Sequence, residues 1–418
     1  MAEGKLTRLR QSALDAVVAK HEDFLAARQG GVRANLSYHD LSGLSFLGRN
    51  MSDANFTGAS LYEANLRNAT FDRAIFFCVD LRCADMSDSS LVRADLRGAS
   101  LRGANLTGAN MEGVDLREGA LASASNSGEL KAAHENLTVA DKGGANLSGA
   151  NLSNARLSGA VAIESNFSDS TMKSAKISNA ILRGANFAGA NLENADFSQC
   201  DLKGVNLCGA ILVGTAINLS EIPEANKEGI LTNTPLGLSV KDLPRPIEQM
   251  VKLHEIWADS NGQKGQQLDI SKFDLRGVNF QRARLTMMKA VGAVLYAVNF
   301  SETQLQAVDF STADLRHANF ESADMRGGRF AGAKFTNCSL QNAQLQPLSV
   351  APGKVIATDM SQASLRFANL SGANLQQVDF RDADLRDANL MDADLTGADL
   401  TGANMTGVRT GSPRQDRT

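Results

Sequence analysis

The chain has 418 residues, and 43% of them are hydrophobic, which is enough to build a sizeable core. Its formal net charge of -4 at pH 7 argues against a general binder of nucleic acid or of anionic membranes, whose surface would be basic. The five cysteines form no CxxC pair and no disulfide framework, and no apolar run reaches the roughly 18 residues of a membrane span, so we expect a cytoplasmic protein without membrane insertion.

The first predicted element is a capping helix within residues 1–31. Apolar residues and one histidine recur at helical spacing up to two glycines at 30 and 31: Leu6, Leu9, Ala13, Val17, His21, Phe24 and Leu25. Repeat arrays need an end cap, because a terminal repeat otherwise exposes its core and its unpaired backbone. We therefore expect this helix to cover the start of the segment that comes after it.

A repeat of five residues begins after this helix. From Leu36 to Leu121 every fifth residue is Leu, Phe or Met, eighteen positions in succession, and we call these large residues the centres. Ala lies two residues before eleven of them, Asp or Asn commonly precedes the centre, and Ser, Thr or Arg follows it. The stretch ADLRGASLRGANLTGANMEGVDL at 94–116 shows the unit, A-(D/N)-(L/F)-(S/T/R)-G.

A spacing of five fits neither the roughly 3.6 residues of a helical turn nor a long strand. A short strand followed by a bend does fit, because Ala and the centre then share the inner face and Gly takes the bend. A chain that bends in one sense every five residues becomes a coil, and its backbone pairs only with the coils above and below it. The pattern predicts an all-β solenoid filled with side chains.

The repeat is first interrupted at 122–144. The interruption shifts the frame of five by one residue, which favours a loop that leaves the solenoid. Loops on a rigid scaffold often carry recognition, so this loop is a candidate binding element, although a neutral insertion is the simpler interpretation. An enzyme that uses this loop is a further hypothesis, and it requires a pocket beside His134.

A second run of centres extends from Leu147 to Leu212 and opens with ANLSGANLSNARLSGA at 145–160. A similar stretch at 383–405 reads ADLRDANLMDADLTGADLTGANM. In these stretches the sequence resembles the pentapeptide-repeat family, and the pattern covers roughly three quarters of the chain. The resemblance implies a right-handed quadrilateral β-helix with four pentapeptides per coil, a number that the spacing itself does not supply. It implies little about function, since most members of the family have no assigned activity.

The second half of the chain repeats the plan of the first. The predicted segments are a solenoid at 32–217, a linker at 218–243, a second capping helix at 244–265, a solenoid at 266–408 with a loop at 346–357, and a disordered tail at 409–418. His21-Glu22 precedes the octapeptide ANLSGANL by 124 residues, and His254-Glu255 precedes a second copy by 114. The difference of ten residues is two pentapeptides, which indicates a tandem duplication.

Titratable and nucleophilic side chains show no catalytic arrangement. The five histidines have neither metal-ligand spacing nor a Ser/His/Asp signature, and His21 and His254 are expected to serve helix packing. Cys200 and Cys338 occupy the small inward position of the repeat and substitute for Ala. We predict no catalytic residue, no cofactor and no metal.

One stretch departs from the alternating charges of the repeats. Seven aspartates lie within 378–400, against Arg381 and Arg386: Asp379, Asp382, Asp384, Asp387, Asp392, Asp394 and Asp399. Stacked coils would gather these carboxylates into an acidic patch for a partner. Some members of the family resemble B-DNA in shape and charge and bind type II topoisomerases, so the resemblance implies gyrase as an alternative partner.

The sequence favours a non-enzymatic scaffold or protein-interaction module in the bacterial cytoplasm, with an unidentified protein partner. The partner would contact the flat walls of the solenoid or the two loops. No direct nucleic-acid binding is expected, because the net charge is negative. A homodimer through an exposed end of the solenoid is a further arrangement that the sequence allows.

Overall fold

The structure is a computed structural model that describes residues 6–119, 122–124, 130–132, 144–220 and 222–411. The two α-helices are α1 (Gln11–Leu25) and α2 (Ile247–Asp259). The strands are β1 (Thr7–Arg8), β2 (His39–Asp40), β3 (Ala122–Ala124), β4 (Leu130–Ala132), β5 (Leu238–Ser239), β6 (Phe273–Asp274), β7 (Leu348–Ala351), β8 (Lys354–Ile356), β9 (Asn389–Leu390) and β10 (Arg409–Thr410). Short 3-10 turns lie at Glu224–Asn226 and Val240–Asp242.

Backbone pairing has a period of 20 residues. Asn35 pairs in parallel with Asn55, and Asn55 pairs with Ile75. The N–H of Leu36 donates to the carbonyl of Asn55 at 2.7 Å, and the N–H of Asn55 donates to the carbonyl of Ala34 at 3.1 Å. Each coil is therefore four pentapeptides long. Most pairing involves one bridging residue per side of the coil, which explains why long strands are rare in this β-solenoid.

The centres and the preceding alanines fill the interior, as the alternation of a short strand predicts. Leu106 and its neighbour Ala104 are both fully buried. Equivalent centres of successive coils stack: the ring centroids of Phe280 and Phe300 are 5.2 Å apart, and those of Phe300 and Phe320 are 5.0 Å apart. Burial of one such side chain contributes about 1.5 to 3 kcal/mol, so the core alone strongly favours the stacked coils.

Glycine at the bend is required where two coils approach closely. Gly108 has φ of +70°, and a Cβ at this position would lie 2.5 Å from Oδ1 of Asp88 in the preceding coil. Asp88 occupies the same bend one coil earlier with φ of +56°, a conformation that Asp and Asn tolerate better than most residues. This explains why Gly, Asn and Asp are frequent at the last position of the repeat.

Two insertions interrupt the period of 20. Asp115 pairs with Val161, 46 residues later, and the N–H of Ala145 donates to the carbonyl of Leu116, so the coil resumes at Ala145. Of the predicted loop, the structure describes β3 and β4, which pair antiparallel; Leu121 and His134 lie outside the described residues. At the second insertion the interval is 30 residues, from Arg329 to Asp359, and β7 and β8 form an antiparallel hairpin.

The chain forms two compact units, unit 1 (Met1–Asn233) and unit 2 (Thr234–Thr418). The first part of the predicted linker belongs to unit 1, because the N–H of Leu212 donates to the carbonyl of Leu231 at 2.7 Å. Ile222 and Leu231 are 3% and 1% exposed, and Leu231 pairs with Ile211 at the coil period, so burial and backbone pairing hold this segment on the coil. The disordered tail was predicted to begin at residue 409, but residues 409 and 410 form β10, which pairs with β9.

Helix α1 buries a face that matches the predicted one only in part, since His21 is buried and Val17 packs partly buried against the core. Its buried residues are Leu14, Val18 and His21, whereas Phe24 is 41% exposed. The helix begins at Gln11, because the residues before it pair as β1 with β2. The apolar residues of this segment can form two neighbouring faces of a helix. The residue at which the helix begins determines which of these faces packs against the core.

The histidines of the two helices bind the first coils of their units. The N–H of Ala34 donates to Nδ1 of His21 at 3.0 Å, so Nε2 carries the proton and donates to the carbonyl of Ser52 at 3.0 Å. The N–H of Leu268 donates to Nδ1 of His254 in the same way at 3.0 Å. The structure thus gives both histidines a packing role at the start of a solenoid.

Candidate functional site

The seven predicted aspartates encircle the C-terminal coils of unit 2 and do not form one patch. Asp379 and Asp399 lie on one wall, whereas Asp384 and Asp394 lie on two others. The remaining three, Asp382, Asp387 and Asp392, occupy three successive bends with φ between +57° and +58°. Side chains five residues apart point to different sides of a four-sided coil, so seven aspartates within about one coil spread around its circumference.

One wall does collect carboxylates. Asp359 pairs with Asp379, and Asp379 pairs with Asp399, so three aspartates occupy consecutive rungs. We call Asp359, Asp379 and Asp399 the acidic ladder. Adjacent coils are about 4.8 Å apart, which sets the rise between its carboxylates. Sequence reasoning missed Asp359, because it lies a full coil of 20 residues before Asp379 along the chain.

The same wall has mixed charge below the acidic ladder. Its earlier rungs are Asp269, Lys289, Asp309 and Arg329. Along these rungs the charge alternates in sign from coil to coil. The acidic ladder therefore differs from the rest of its own wall in charge while sharing its backbone geometry.

Arginines from the repeats neutralise part of the acidic ladder. The guanidinium of Arg381 donates to Asp379 through Nε at 2.9 Å and through Nη2 at 2.6 Å, and it lies 3.9 Å from Asp399. The hydrogen bond from Arg381 lowers the pKa of the Asp379 carboxyl. Asp384 on the next wall is paired with Arg386 in the same manner.

The Asp or Asn before each centre has a structural role that the sequence pattern alone did not reveal. Its side-chain oxygen accepts the backbone N–H two residues later, as Asp394 does from Thr396 at 3.0 Å and Asp399 does from Thr401 at 3.0 Å. Hydroxyl donation from Thr396 is the main cause of the lowered pKa of Asp394. This local hydrogen bond fixes the bend after each centre, as in an Asx turn. The carboxylates on the walls are therefore components of the repeat as well as surface charges.

Cys200 and Cys338 lie at the predicted inward positions of the repeat. Cys338 is 2% exposed, and its Sγ donates to the carbonyl of Leu315 at 2.7 Å. Burial raises the pKa of Cys338 and of Cys200, which keeps both thiols protonated. Cys78 and Cys83 lie at two successive bends and are half-buried.

The hairpin of β7 and β8 carries exposed apolar side chains on the described surface of unit 2. Val350, Val355 and Ile356 are 50%, 62% and 39% exposed, whereas the centres of the neighbouring coils are fully buried. The base of the hairpin lies against Gly327, where a Cβ would meet Leu348 at 2.8 Å and Ile356 at 3.2 Å. The hairpin is thus seated on a bend of the solenoid and presents apolar side chains to solvent.

Metal and membrane features are not found among the described residues. No cluster of three or more His, Cys, Asp or Glu side chains in this part of the chain has a geometry that could hold a metal ion. Neither α1 nor α2, the two α-helices of the described ranges, has the length and apolar character to cross a bilayer.

These features define a class of protein, a β-solenoid with four pentapeptides per coil. The family model for pentapeptide repeats matches more than half of the chain, at residues 40–76, 50–88, 80–117, 145–184, 185–218, 274–311, 313–346, 356–382 and 368–407. The chain belongs to the pentapeptide-repeat family. This confirms the resemblance on which the expected fold was based.

Solved structures with similarity to this chain include members of the same family. A trypsin-treated form of QnrB1, a plasmid-mediated fluoroquinolone resistance protein, is 18% identical, with 48% of this chain and 87% of that chain covered and a TM-score of 0.29. HetL, involved in heterocyst differentiation regulation in the cyanobacterium Nostoc sp. strain PCC 7120, is 19% identical, with 93% of both chains covered and a TM-score of 0.16. Rfr23 from the cyanobacterium Cyanothece 51142 is 28% identical, with 34% and 86% covered and a TM-score of 0.15. No curated protein matches this chain.

Proposed function

We propose that this protein is a non-enzymatic, cytoplasmic scaffold that binds a protein partner through the outer surface of its solenoid. The observation that carries the proposal is that most side chains of the repeat have a structural role. Large side chains fill the interior, and the Asp and Asn side chains of the walls hold the bends. Within the described residues, the surfaces available for recognition include the flat walls and the protruding hairpin.

The hairpin of β7 and β8 is the favoured contact for the partner. Exposed apolar side chains on a protruding element mark protein interaction sites more often than scattered surface residues do. Val350 and Val355 are exposed by half or more, and Lys354 beside them keeps the hairpin soluble. Partners would therefore bury these valines and contact the wall beneath.

Affinity capture from the native cytoplasm tests this function. The chain with Val350→Ser and Val355→Ser is compared with the native chain and with a control that carries Leu47→Ser, which removes an equally exposed apolar residue from unit 1. We expect the native chain and the control to recover the same partner and the hairpin variant to lose it. Recovery of that partner by all three chains would remove the hairpin from the proposal, and recovery of none by the native chain would remove the scaffold function.

Binding to a type II topoisomerase through the acidic C-terminal coils is the second candidate. The acidic ladder favours it, because its three carboxylates rise along one wall as phosphates rise along a nucleic-acid strand. The ion pairs of Arg381 with Asp379 and Asp399 oppose it. The test is gyrase supercoiling at micromolar protein, for the native chain and for a variant with Asp359, Asp379 and Asp399 all changed to Asn.

Asn keeps the side-chain oxygen that accepts the backbone N–H, so this variant changes charge without changing the bends. The matched control is Asp269→Asn with Asp309→Asn, which removes charges from the lower rungs of the same wall. Inhibition by the native chain and the control, but not by the ladder variant, supports the second candidate. Supercoiling that none of the three affects excludes it.

A further inference from the structure

The segment that connects the two units is held by unit 1 up to Asn233 and by unit 2 from Thr234 on. On the unit 1 side, the N–H of Gly214 donates to Oδ1 of Asn233 at 2.9 Å, and Leu231 is buried. On the unit 2 side, β5 pairs in parallel with β6 of the first coil. The support of the chain therefore changes at the peptide bond between Asn233 and Thr234.

We call residues 234–242 the strap. Three apolar residues alternate along it with 46%, 50% and 45% of their surface exposed: Leu236, Leu238 and Val240. Leu243, the next apolar residue, packs against the core of unit 2 and marks the end of the strap. Burial of apolar surface is the main contribution that holds a segment in place, so the strap is held less firmly than Ile222 and Leu231 of unit 1.

Polar contacts hold the strap on the first coil of unit 2, and Asp274 is at their centre. Oδ2 of Asp274 accepts the N–H of Leu236 at 2.9 Å, and the same carboxylate accepts Nε and Nη2 of Arg276, each at 2.7 Å. Nη2 of Arg276 also donates to the carbonyl of Thr234 at 3.4 Å. The buried pair of Asp274 and Arg276 thus binds the backbone of the strap at two points.

Unit 1 has a matching strand at the same place on its first coil. β1 pairs in parallel with β2, and Asp40 of β2 accepts Nη1 of Arg8 in β1 at 2.8 Å. The carboxylate binds a side chain of the leading strand there, whereas in unit 2 it binds the backbone of the strap. The same position of the coil anchors the leading strand of both units, and in unit 2 that strand is also the connection to unit 1.

We propose that the strap is a releasable segment. When its bonds to Asp274 and the pairing of β5 with β6 open, residues 234–242 leave unit 2 and become a flexible tether between the units. A tether of this length spans about 30 Å when extended. Release lengthens the connection while the core of each unit stays intact. It does not involve the hairpin of β7 and β8, so the strap is independent of the proposed scaffold function.

The attached state of the strap should be favoured only moderately. A backbone hydrogen bond of this kind favours attachment about fivefold, and one to a carboxylate about tenfold or more. A few such bonds together keep the strap attached by about 100-fold to about 1,000-fold. The first coils of unit 2 open far less often, because centres such as Leu275 and Leu285 are fully buried. The strap therefore opens by itself, without unfolding of the coils.

Hydrogen exchange of the full chain tests the release. In the native chain the bonded amide of Leu236 should be protected by about 100-fold to about 1,000-fold, far less than the amide of Leu275. Asp274→Asn places an amide group beside the N–H of Leu236 and should speed exchange in the strap about tenfold. Leu236→Pro removes the same bond without changing the coil, and it should speed exchange in the rest of the strap similarly. The matched control is Asp384→Asn, which changes a carboxylate paired with Arg386 on the same wall and should leave the strap unaffected.

Small-angle X-ray scattering measures whether release lengthens the connection. The released reference carries GSGSGS in place of 236–241 together with Asp274→Asn, which keeps the length of the strap and removes β5 and its anchor. We expect its maximum dimension to exceed that of the native chain by about 10 to 30 Å. Equal dimensions overturn the inference. It is also overturned if the strap amides of the native chain exchange as slowly as that of Leu275, or without protection, and each of these results leaves partner capture by the hairpin untouched.

Discussion

Unit 1 covers its last coil with its own chain, whereas the last coil of unit 2 is only partly buried within the described residues 222–411. Ile222 and Leu231 are 3% and 1% exposed in unit 1, but Leu400 and Met405 are only partly buried in unit 2. The sequences of the coils are alike, and in unit 1 the residues that cover the core come after the last repeat. A repeat supplies a core of any length, and the residues that end it decide whether that core is covered.

The starts of the two units, unlike their ends, are built in the same way. Each has a two-residue strand, a helix and a histidine that accepts a backbone N–H of the first coil, from Ala34 in unit 1 and from Leu268 in unit 2. Unit 1 adds the bond from Nε2 of His21 to Ser52, whereas Nε2 of His254 makes no hydrogen bond of normal geometry within the described residues. The two starts are thus alike in design, and we expect the start of unit 2 to be the weaker one.

The largest effect is expected from a charge inside a fully buried coil compared with one in the partly buried last coil of unit 2. Leu106→Asp places an unpaired carboxylate in a fully buried position and should destabilise unit 1 by about 5 kcal/mol. Leu400→Glu at the partly exposed end should cost about 1 to 2 kcal/mol. Urea unfolding of the two variants checks this, with Leu47→Glu as the surface control.

The histidines should give the next largest effect. His21→Leu removes two hydrogen bonds to buried backbone and should destabilise unit 1 by about 3 kcal/mol, whereas His254→Leu removes one and should destabilise unit 2 by about 1.5 kcal/mol. His39→Leu, in which the side chain bonds only to nearby Ser37, should change stability by about 0.5 kcal/mol or less. Thermal melts of the three variants measure the order, and equal losses for His21 and His254 would contradict the proposed inequality.

The sequence predicts the solenoid and the inward positions because one spacing repeats many times. The number of sides of the coil could not be predicted in this way, because a bend every five residues fits a coil with three or four sides. The pairing of Asn35 with Asn55 shows that the coil has four. The closing segment of unit 1 was predicted as a linker for a related reason. Leu231 continues the backbone pairing of the coil, and Ile222 is buried against it, but the sequence around them lacks the side-chain pattern of the repeat.

The seven candidate aspartates show that surface clusters are also hard to predict from the sequence. Proximity in sequence placed seven aspartates together, but a four-sided coil sends Asp379, Asp384 and Asp394 to three walls. Residues that meet on a wall are 20 apart, or 30 across the second insertion, as Asp359 and Asp379 and then Arg329 and Asp359 show. A search at the coil period, once the period is known, finds the acidic ladder directly.

A pH dependence is expected from the buried histidines. Burial lowers the pKa of His21 from 6.5, and the carbonyl of Ser52, with Asp53 and Glu22 nearby, only partly offsets burial and Arg33. The unfolded chain therefore binds more protons than the folded one below about 6.5, so stability is full above that pH and falls as pH drops through it. Burial also lowers the pKa of His254, so the stability of unit 2 should likewise fall as the pH drops.

Melting temperatures at about pH 7.5 and about pH 5.5 measure this effect, since this range spans the ordinary pKa of histidine. We expect the native chain to lose about 1 to 2 kcal/mol over this range and His21→Leu to lose less, because the start of its unit no longer has a buried histidine to protonate. Loss of the same size in the native chain and in the double variant His21→Leu, His254→Leu would show that other groups cause the pH dependence.

The smallest effect is expected from removing the hairpin. Deletion of 347–356 takes out ten residues and reduces the interval from Arg329 to Asp359 to the regular 20. Gln346 would then be followed by Ala357 and Thr358, so the centre at Leu345 is again five residues before Met360. We expect unit 2 to change by about 1 kcal/mol or less in urea unfolding.

The matched control is the deletion of 347–355, which is one residue shorter. It leaves the bridging residues after the insertion one position out of register with the coil below, and a slip of one residue turns inward side chains outward. This control should destabilise unit 2 by several times more than the ten-residue deletion. If the two deletions cost the same, the hairpin itself, rather than the period of five, would set the register of the later coils, and the last coil would then depend on the hairpin as well.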